Sequence, residues 1–109
     1  MDRIENYRQT LHTVLSRYAT RRPVNTPNVE RNLIVDGDQF VLFSMGWHGK
    51  QYIHQCLIHV AIRDGQIWIY EDRTDPGLME ILMEHGIGAD DMVQGYVPEY
   101  ERSAMEMAA

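Results

Sequence analysis

The spacing of apolar residues changes twice along this chain, from helical near the start, to alternating through the middle, and back to helical after residue 76. Ile4, Tyr7, Leu11, Val14, Leu15 and Tyr18 recur every three or four positions and predict one amphipathic helix over residues 3–20. Asp2 and Glu5 form a capping-box-like start, and Pro23 follows the end. Residues 21–28, with Pro23, Asn25, Thr26 and Pro27, cannot continue a helix and read as a connecting loop.

From residue 29 to 45 the pattern predicts two short strands around Asp36-Gly37-Asp38, with Leu33 and Val35 on one face and Ile34 on the other. After that turn, Phe40, Leu42 and Ser44 alternate with Val41, Phe43 and Met45. Gly46-Trp47-His48-Gly49 reads as a turn, followed by strands over 51–63 and 66–72. Between those two strands, Asp64-Gly65 suits a two-residue type I′ turn, which would pair Ile62 with Ile67 and Val60 with Ile69. That hairpin puts His59, Ala61, Trp68 and Tyr70 on its other face, a surface too aromatic for plain solvation and too polar for an ordinary core.

Pro76 at a first helical turn and Leu78, Met79, Ile81, Leu82 and Met83 predict a second, short helix that stops at Gly86 after His85. Gly88, Asp90 and Asp91 mark another turn. Residues 92–109, with Val93, Tyr96, Val97, Tyr100, Met105 and Met107, are too apolar for a solvated tail, have no sustained period, and should pack on this subunit or a neighbour. The order of helix, strands and helix, without a repeating strand-helix rhythm, predicts an α+β fold. It is an antiparallel four-stranded meander sheet with an N-terminal helix and a C-terminal helix.

At 109 residues and 44% hydrophobic, the chain supports one domain, residues 1–109, with a core of its own. The lack of a membrane-length apolar run or a leader-like start predicts a soluble cytoplasmic protein. A lone cysteine, Cys56, rules out an internal disulfide framework. The net charge of −6 argues against wrapping nucleic acid, because phosphate binding draws on clustered Lys and Arg. Charge is nevertheless uneven. Residues 1–31 hold Arg3, Arg8, Arg17, Arg21, Arg22 and Arg31 against three carboxylates, whereas the rest holds only Lys50, Arg63, Arg73 and Arg102.

His54, Cys56 and His59 are candidate metal ligands by type, but a strict period of two places His54 and Cys56 on one face and His59 on the other. A Cys-His nucleophile would need an accessible electropositive pocket, while Ile53, Leu57 and Ile58 imply burial. Glu71, Asp72 and Asp75 at the end of the last predicted strand are better read as a solvated acidic loop than as a divalent-ion site. Trp47 either caps the sheet edge or anchors an interface. No catalytic residue, metal or cofactor is expected.

The series GWHGKQYIHQCLIHVAIRDGQIWIYEDRTDPG, the following LMEILMEHGIGADDMVQGY and the opening IENYRQTLHTVLSRYA closely resemble the XisI family, the fdxN element excision controlling factors of cyanobacteria. The most specific marks are Gly46-Trp47-x-Gly49, Ile53-His54-x-Cys56-Leu57-Ile58-His59, Asp64-Gly65-x-Ile67-Trp68-Ile69 and Asp91-x-Val93-x-Gly95-Tyr96. The resemblance implies a non-catalytic factor that acts beside a recombinase in removing a DNA element during heterocyst differentiation, with a nuclease-like companion, XisH, as binding partner. On this reading Trp47, His59, Trp68, Tyr70, Tyr96 and Tyr100 are the candidate interface. Apolar residues on both sheet faces further predict a homo-oligomer, a dimer or higher. Direct DNA contact through the Arg-rich N-terminal region is the alternative.

Overall fold

Each turn of the chain carries the residue its geometry demands. In the computed structural model, which describes residues 2–21 and 28–108 with side chains to residue 104, the Asp2 carboxylate accepts from the N–H of Ile4 at 2.7 Å and of Glu5 at 3.3 Å. That cap starts α1 (Arg3–Thr20), matching the helix read from the sequence. Residues 22–27 of the connecting loop, Pro23 and Arg22 among them, lie outside the described residues.

Four strands follow as an antiparallel meander: β1 (Val29–Asp36), β2 (Gln39–His48), β3 (Gln51–Arg63) and β4 (Gln66–Asp72). Asp64 and Gly65 take φ of 53° and 74°, as a type I′ turn requires, and Ile62 pairs with Ile67 and Val60 with Ile69 as expected. Helix α2 (Leu78–Glu84) ends at His85 and Gly86, whose φ is 91°. Pro76 precedes this helix, because Gly77 is its N-cap.

Three expectations are corrected. Gly46, Trp47 and His48 do not form a turn; β2 runs through them, His48 pairs with Gln51, and the turn is Gly49-Lys50. Gly46 is there for a different reason: with φ 141°, its missing Cβ would lie 2.3 Å from the Asn28 carbonyl oxygen and 2.9 Å from Val29 Cα. The tail is also not irregular, since a 3-10 turn (Ala89–Asp91) leads to β5 (Met92–Gln94) and then to α3 (Glu99–Ala108). The third correction concerns the sheet, which has five strands rather than four and is mixed, with β5 parallel to β4. A parallel neighbour needs a crossover, here α2, and a three-residue strand leaves no readable alternation.

The core lies between one sheet face and the first two helices. Phe40, Leu42, Ile58, Val60, Ile62, Ile67 and Ile69 meet Tyr7, Leu11, Val14 and Leu15 of α1 and Leu78 and Leu82 of α2. Arg8 locks α1 to the β1–β2 turn through a two-pronged contact with Asp38, Nε to Oδ1 at 2.8 Å and Nη2 to Oδ2 at 3.3 Å. The guanidinium holds the Asp38 carboxyl below the usual carboxylate range. A carboxylate depressed by folding stabilises above its unfolded pKa of about 4, and that contribution is lost as pH falls through the folded value. Because Asp38 is 38% exposed, screening keeps the effect small. Asp38→Asn is expected to cost under about 1 kcal/mol at pH 7, with the difference shrinking as pH falls below about 4, as read by urea melts across pH.

Candidate functional site

The face of the sheet turned away from α1 and α2 carries the candidate residues, and two β-bulges decide which ones. In β3 the register shifts between Leu42 and Phe43 of its partner, so Leu57 and Ile58 are both buried, at 8% and 0% exposure. The extra residue inverts the alternation for the first half of the strand. His54, Cys56 and His59 therefore oppose Met45, Phe43 and Val41 and share the open face, which corrects the expectation that His59 points away from the other two. A second shift, between His59 and Val60, leaves Tyr70 as the unpaired residue of β4.

Aromatic side chains on this face gather into two groups. At the β2–β3 hairpin end, the Trp47 and Tyr52 rings lie 5.1 Å apart, Tyr52 stacks on His54 at 6.3 Å, and His54 meets Phe43 at 5.6 Å. Trp47 and Tyr52 are 57% and 53% exposed, and Met45 beside them is exposed as well. Tyr52 is a functional candidate the sequence reading missed. Its signal was the Gly49-Lys50 turn, which puts Tyr52 directly opposite Trp47.

At the other end, His59 lies 5.1 Å from Tyr70, and Tyr70 stacks with Trp68 at 6.3 Å. These side chains are tied down. His59 Nε2 is 2.9 Å from Gln39 Oε1, the Trp68 indole donates to the Arg63 carbonyl at 3.1 Å, and Arg63 reaches the Tyr70 hydroxyl at 3.3 Å. Arg63 and Arg102 place their guanidinium carbons 4.8 Å and 5.4 Å from the centre of the Trp68 ring. Arg102, from α3, also donates to the Val97 carbonyl. Gly95 passes so close to Tyr70 that a Cβ would lie 2.8 Å from Cδ1. The tail thus packs on its own subunit, over Trp68 and Tyr70, and among the described residues nothing covers the hairpin end.

Tyr96 and Tyr100 follow β5 and are 56% and 74% exposed. Tyr96 accepts from Gln94 at 3.1 Å, but among the described residues neither ring joins the aromatic groups on β3 and β4. Asp72, read from the sequence as part of a solvated acidic loop, does structural work instead. Its two oxygens accept from Thr74 N at 3.0 Å and from Leu78 N at 2.7 Å, which supplies the cap that Gly77 cannot give α2. Glu71 pairs with Arg73 at 2.7 Å. No cluster of three His, Cys, Asp or Glu side chains converges among the described residues.

Burial, and then the Glu71 carboxylate, push the Cys56 thiol up, and it donates weakly to the Ile58 carbonyl at 3.4 Å. A raised pKa means less thiolate at neutral pH than in a free cysteine. Alkylation of Cys56 by iodoacetamide at pH 7.5 is expected to run at least several-fold slower than that of a cysteine peptide, and to accelerate only at higher pH. A rate equal to the peptide's would show that burial does not hold the thiol in its neutral form, and a faster one an activated thiol.

Comparison with protein families matches residues 1–109, the whole chain, to the family described as XisI protein. The chain belongs to the XisI family. Two solved structures of that family agree with the fold described above. One is the crystal structure of a XisI-like protein from Anabaena variabilis, 30% identical, covering 92% of each chain with a TM-score of 0.77. The other is the fdxN element excision controlling factor XisI from the same organism, 28% identical, covering 93% of this chain and 99% of that one, with a TM-score of 0.72. No curated protein matches the chain. Seen as a XisI-family member, the chain keeps Trp47, His54, His59, Trp68 and Tyr70 on one open sheet face, although the residues come from three strands.

Proposed function

We propose that this XisI-family chain is a non-catalytic controlling factor for excision of a DNA element of the fdxN type. It serves heterocyst differentiation in the cytoplasm and acts by protein contact with a XisH-like companion. The observation that carries this reading is the uncovered hairpin end of the open face, where Trp47, Tyr52 and Met45 leave large apolar surface in water. Aromatic residues in such a patch are the usual anchors of protein interfaces. The chemistry of the nearby titratable groups points the same way, since the thiol is pushed toward its neutral form and Asp72 is engaged in capping. Co-purification with a XisH-like companion tests the proposal: a stable complex at micromolar concentration supports it, and separate elution of the two proteins overturns it.

Direct DNA binding by the arginines of α1 is the second reading. Arg8 is already committed to Asp38 and Glu5, which lowers the cationic charge free for phosphates. Arg22 lies outside the described residues. Retardation of duplex DNA that weakens steeply with salt would favour this second reading over protein contact.

A further inference from the structure

The two edges of the sheet are finished differently. At one end β5 is three residues long and turns at once, with the Val97 N–H bonded to the Gln94 carbonyl, toward α3, so little backbone is left open. At the other end β1 pairs with β2 over all of its eight residues without a register shift, and among the described residues nothing pairs with its outer side. It contains no proline, lysine or bulge, and of the usual devices that keep such an edge from pairing it carries only charged residues, Glu30 and Asp36 and the inward-pointing Arg31. Ile34 and Val35, on opposite faces of this strand, are 53% and 44% exposed.

We propose that the outer edge of β1 is a two-fold interface between copies of this chain, with Ile34 of each copy at the axis. The two-residue turn after β1 closes on the pair Asp36–Gln39, whose carbonyl and amide hydrogen-bond to each other in a turn of this length. Alternate residues then point their backbone groups the other way. Leu33 and Val35 present N–H and C=O to the free edge, while Ile34 and Asp36 direct theirs toward β2.

An antiparallel partner must also match faces, because residues directly opposite share a side of the sheet. Centring the axis on Ile34 sets Ile34 against the partner's Ile34, Leu33 against the partner's Val35 and Asn32 against the partner's Asp36. Apolar residues meet apolar ones, and no like charges are opposed. Centring on Leu33 instead would put Glu30 against Asp36, and centring on Asn32 would put Arg31 against Leu33 and Glu30 against Ile34. In the favoured register Arg31, the inward-pointing charge of β1, falls opposite the turn at Gly37, clear of the apolar pairs.

A ladder of backbone bonds by itself falls short of the roughly 1,200 Å² of a stable interface. A groove of about 470 Å³ beside the edge supplies more contact, lined by Gln9, His12 and Thr13 of α1 together with Val35 and Phe40. It lies on the helix side of β1, the side on which Leu33 and Val35 of the partner would project. This interface uses the sheet edge and leaves the open aromatic face free, so it stands independently of the proposed companion contact.

Light scattering of the full chain at about 50 µM tests the proposal. The wild type is expected to be a dimer, and Ile34→Lys, which would set two ammonium groups face to face, a monomer with unchanged far-UV circular dichroism. In a Cys56→Ala background, Ile34→Cys should form a reducible covalent dimer in air. Opposed residues that do not exchange backbone bonds bring their Cα atoms to about 4.5 Å, within disulfide reach. Asn32→Cys, facing the partner's Asp36, should not. A monomeric wild type, a dimer that survives Ile34→Lys, or equal cross-linking by both cysteines would overturn the proposal. Should Ile34→Lys fail to fold, the two cysteine variants decide alone.

Discussion

Gly46→Ala is expected to destabilise the fold by about 3 kcal/mol or more, a large share of the roughly 5–15 kcal/mol that hold a domain of this size together. Two separate penalties add. The backbone at Gly46 has φ 141°, which side chains rarely tolerate, and the new methyl would sit 2.3 Å from the Asn28 carbonyl oxygen. That oxygen belongs to backbone and cannot swing aside as a flexible side chain could. The chain can escape only by parting β1 from β2 at this end, which would expose Val29, now 2% accessible. Thermal unfolding should show a fall of more than about 10 °C. A cost below about 1 kcal/mol would mean that the approach of Asn28 to β2 is looser than described. Gly49→Ala is the useful comparison. It has a positive φ of 61° but nothing within 4 Å, so it isolates the strain from the collision.

Truncating Trp47 and Tyr52 together to alanine should weaken binding of a XisH-like companion at least about 30-fold, the loss expected when a hot spot worth about 2 kcal/mol is removed. Both side chains are more than half exposed, so the isolated protein should melt within about 1 kcal/mol of the wild type. Binding and folding thereby separate. Trp68→Ala would not separate them, because Arg63 and Arg102 both pack against that ring and its loss also removes this contact of α3. Tyr100→Ala, at 74% exposure and without an aromatic neighbour among the described residues, should change affinity less than about threefold. An unchanged affinity in the Trp47/Tyr52 double variant would move the interface away from the hairpin end.

Local signals in the sequence carried most of the fold. Asp2 as a cap, Asp64-Gly65 as a turn, and Gly86 as a helix stop each depend on a few neighbouring residues, and each stands where those residues place it. Long-range features were harder to see. Nothing within Met92–Gln94 shows that these residues run parallel to β4, because the partner strand lies beyond a helix. Helix α3 carries a short apolar stripe, Tyr100, Ala104, Met107 and Ala108 at helical spacing, and together with Pro98 just before residues of good helical propensity this was a signal available in the chain.

The candidate site was legible in its residue types more than in its arrangement. Trp68 and Tyr70 fell on the open face because the adjacent turn set their register. His54 and Cys56 were assigned to the wrong side relative to His59, because a strict alternation assumes one residue per step and Leu57 adds one. The unbroken apolar run Cys56-Leu57-Ile58 was the trace of that bulge. Trp47 was assigned to a turn because its flanking glycines suggest one, although Gly46 answers to the close approach of Asn28.

The parallel attachment of β5 has a consequence for biosynthesis. Helix α1 and the four-strand meander can assemble as soon as residue 72 leaves the ribosome, using contacts between consecutive segments. The outer flank of β4, with Ile67 and Ile69, then waits for the last quarter of the chain. During that interval the nascent protein displays an unpaired strand that its own C-terminus has yet to seal, and a chaperone or premature aggregation could intercept it there.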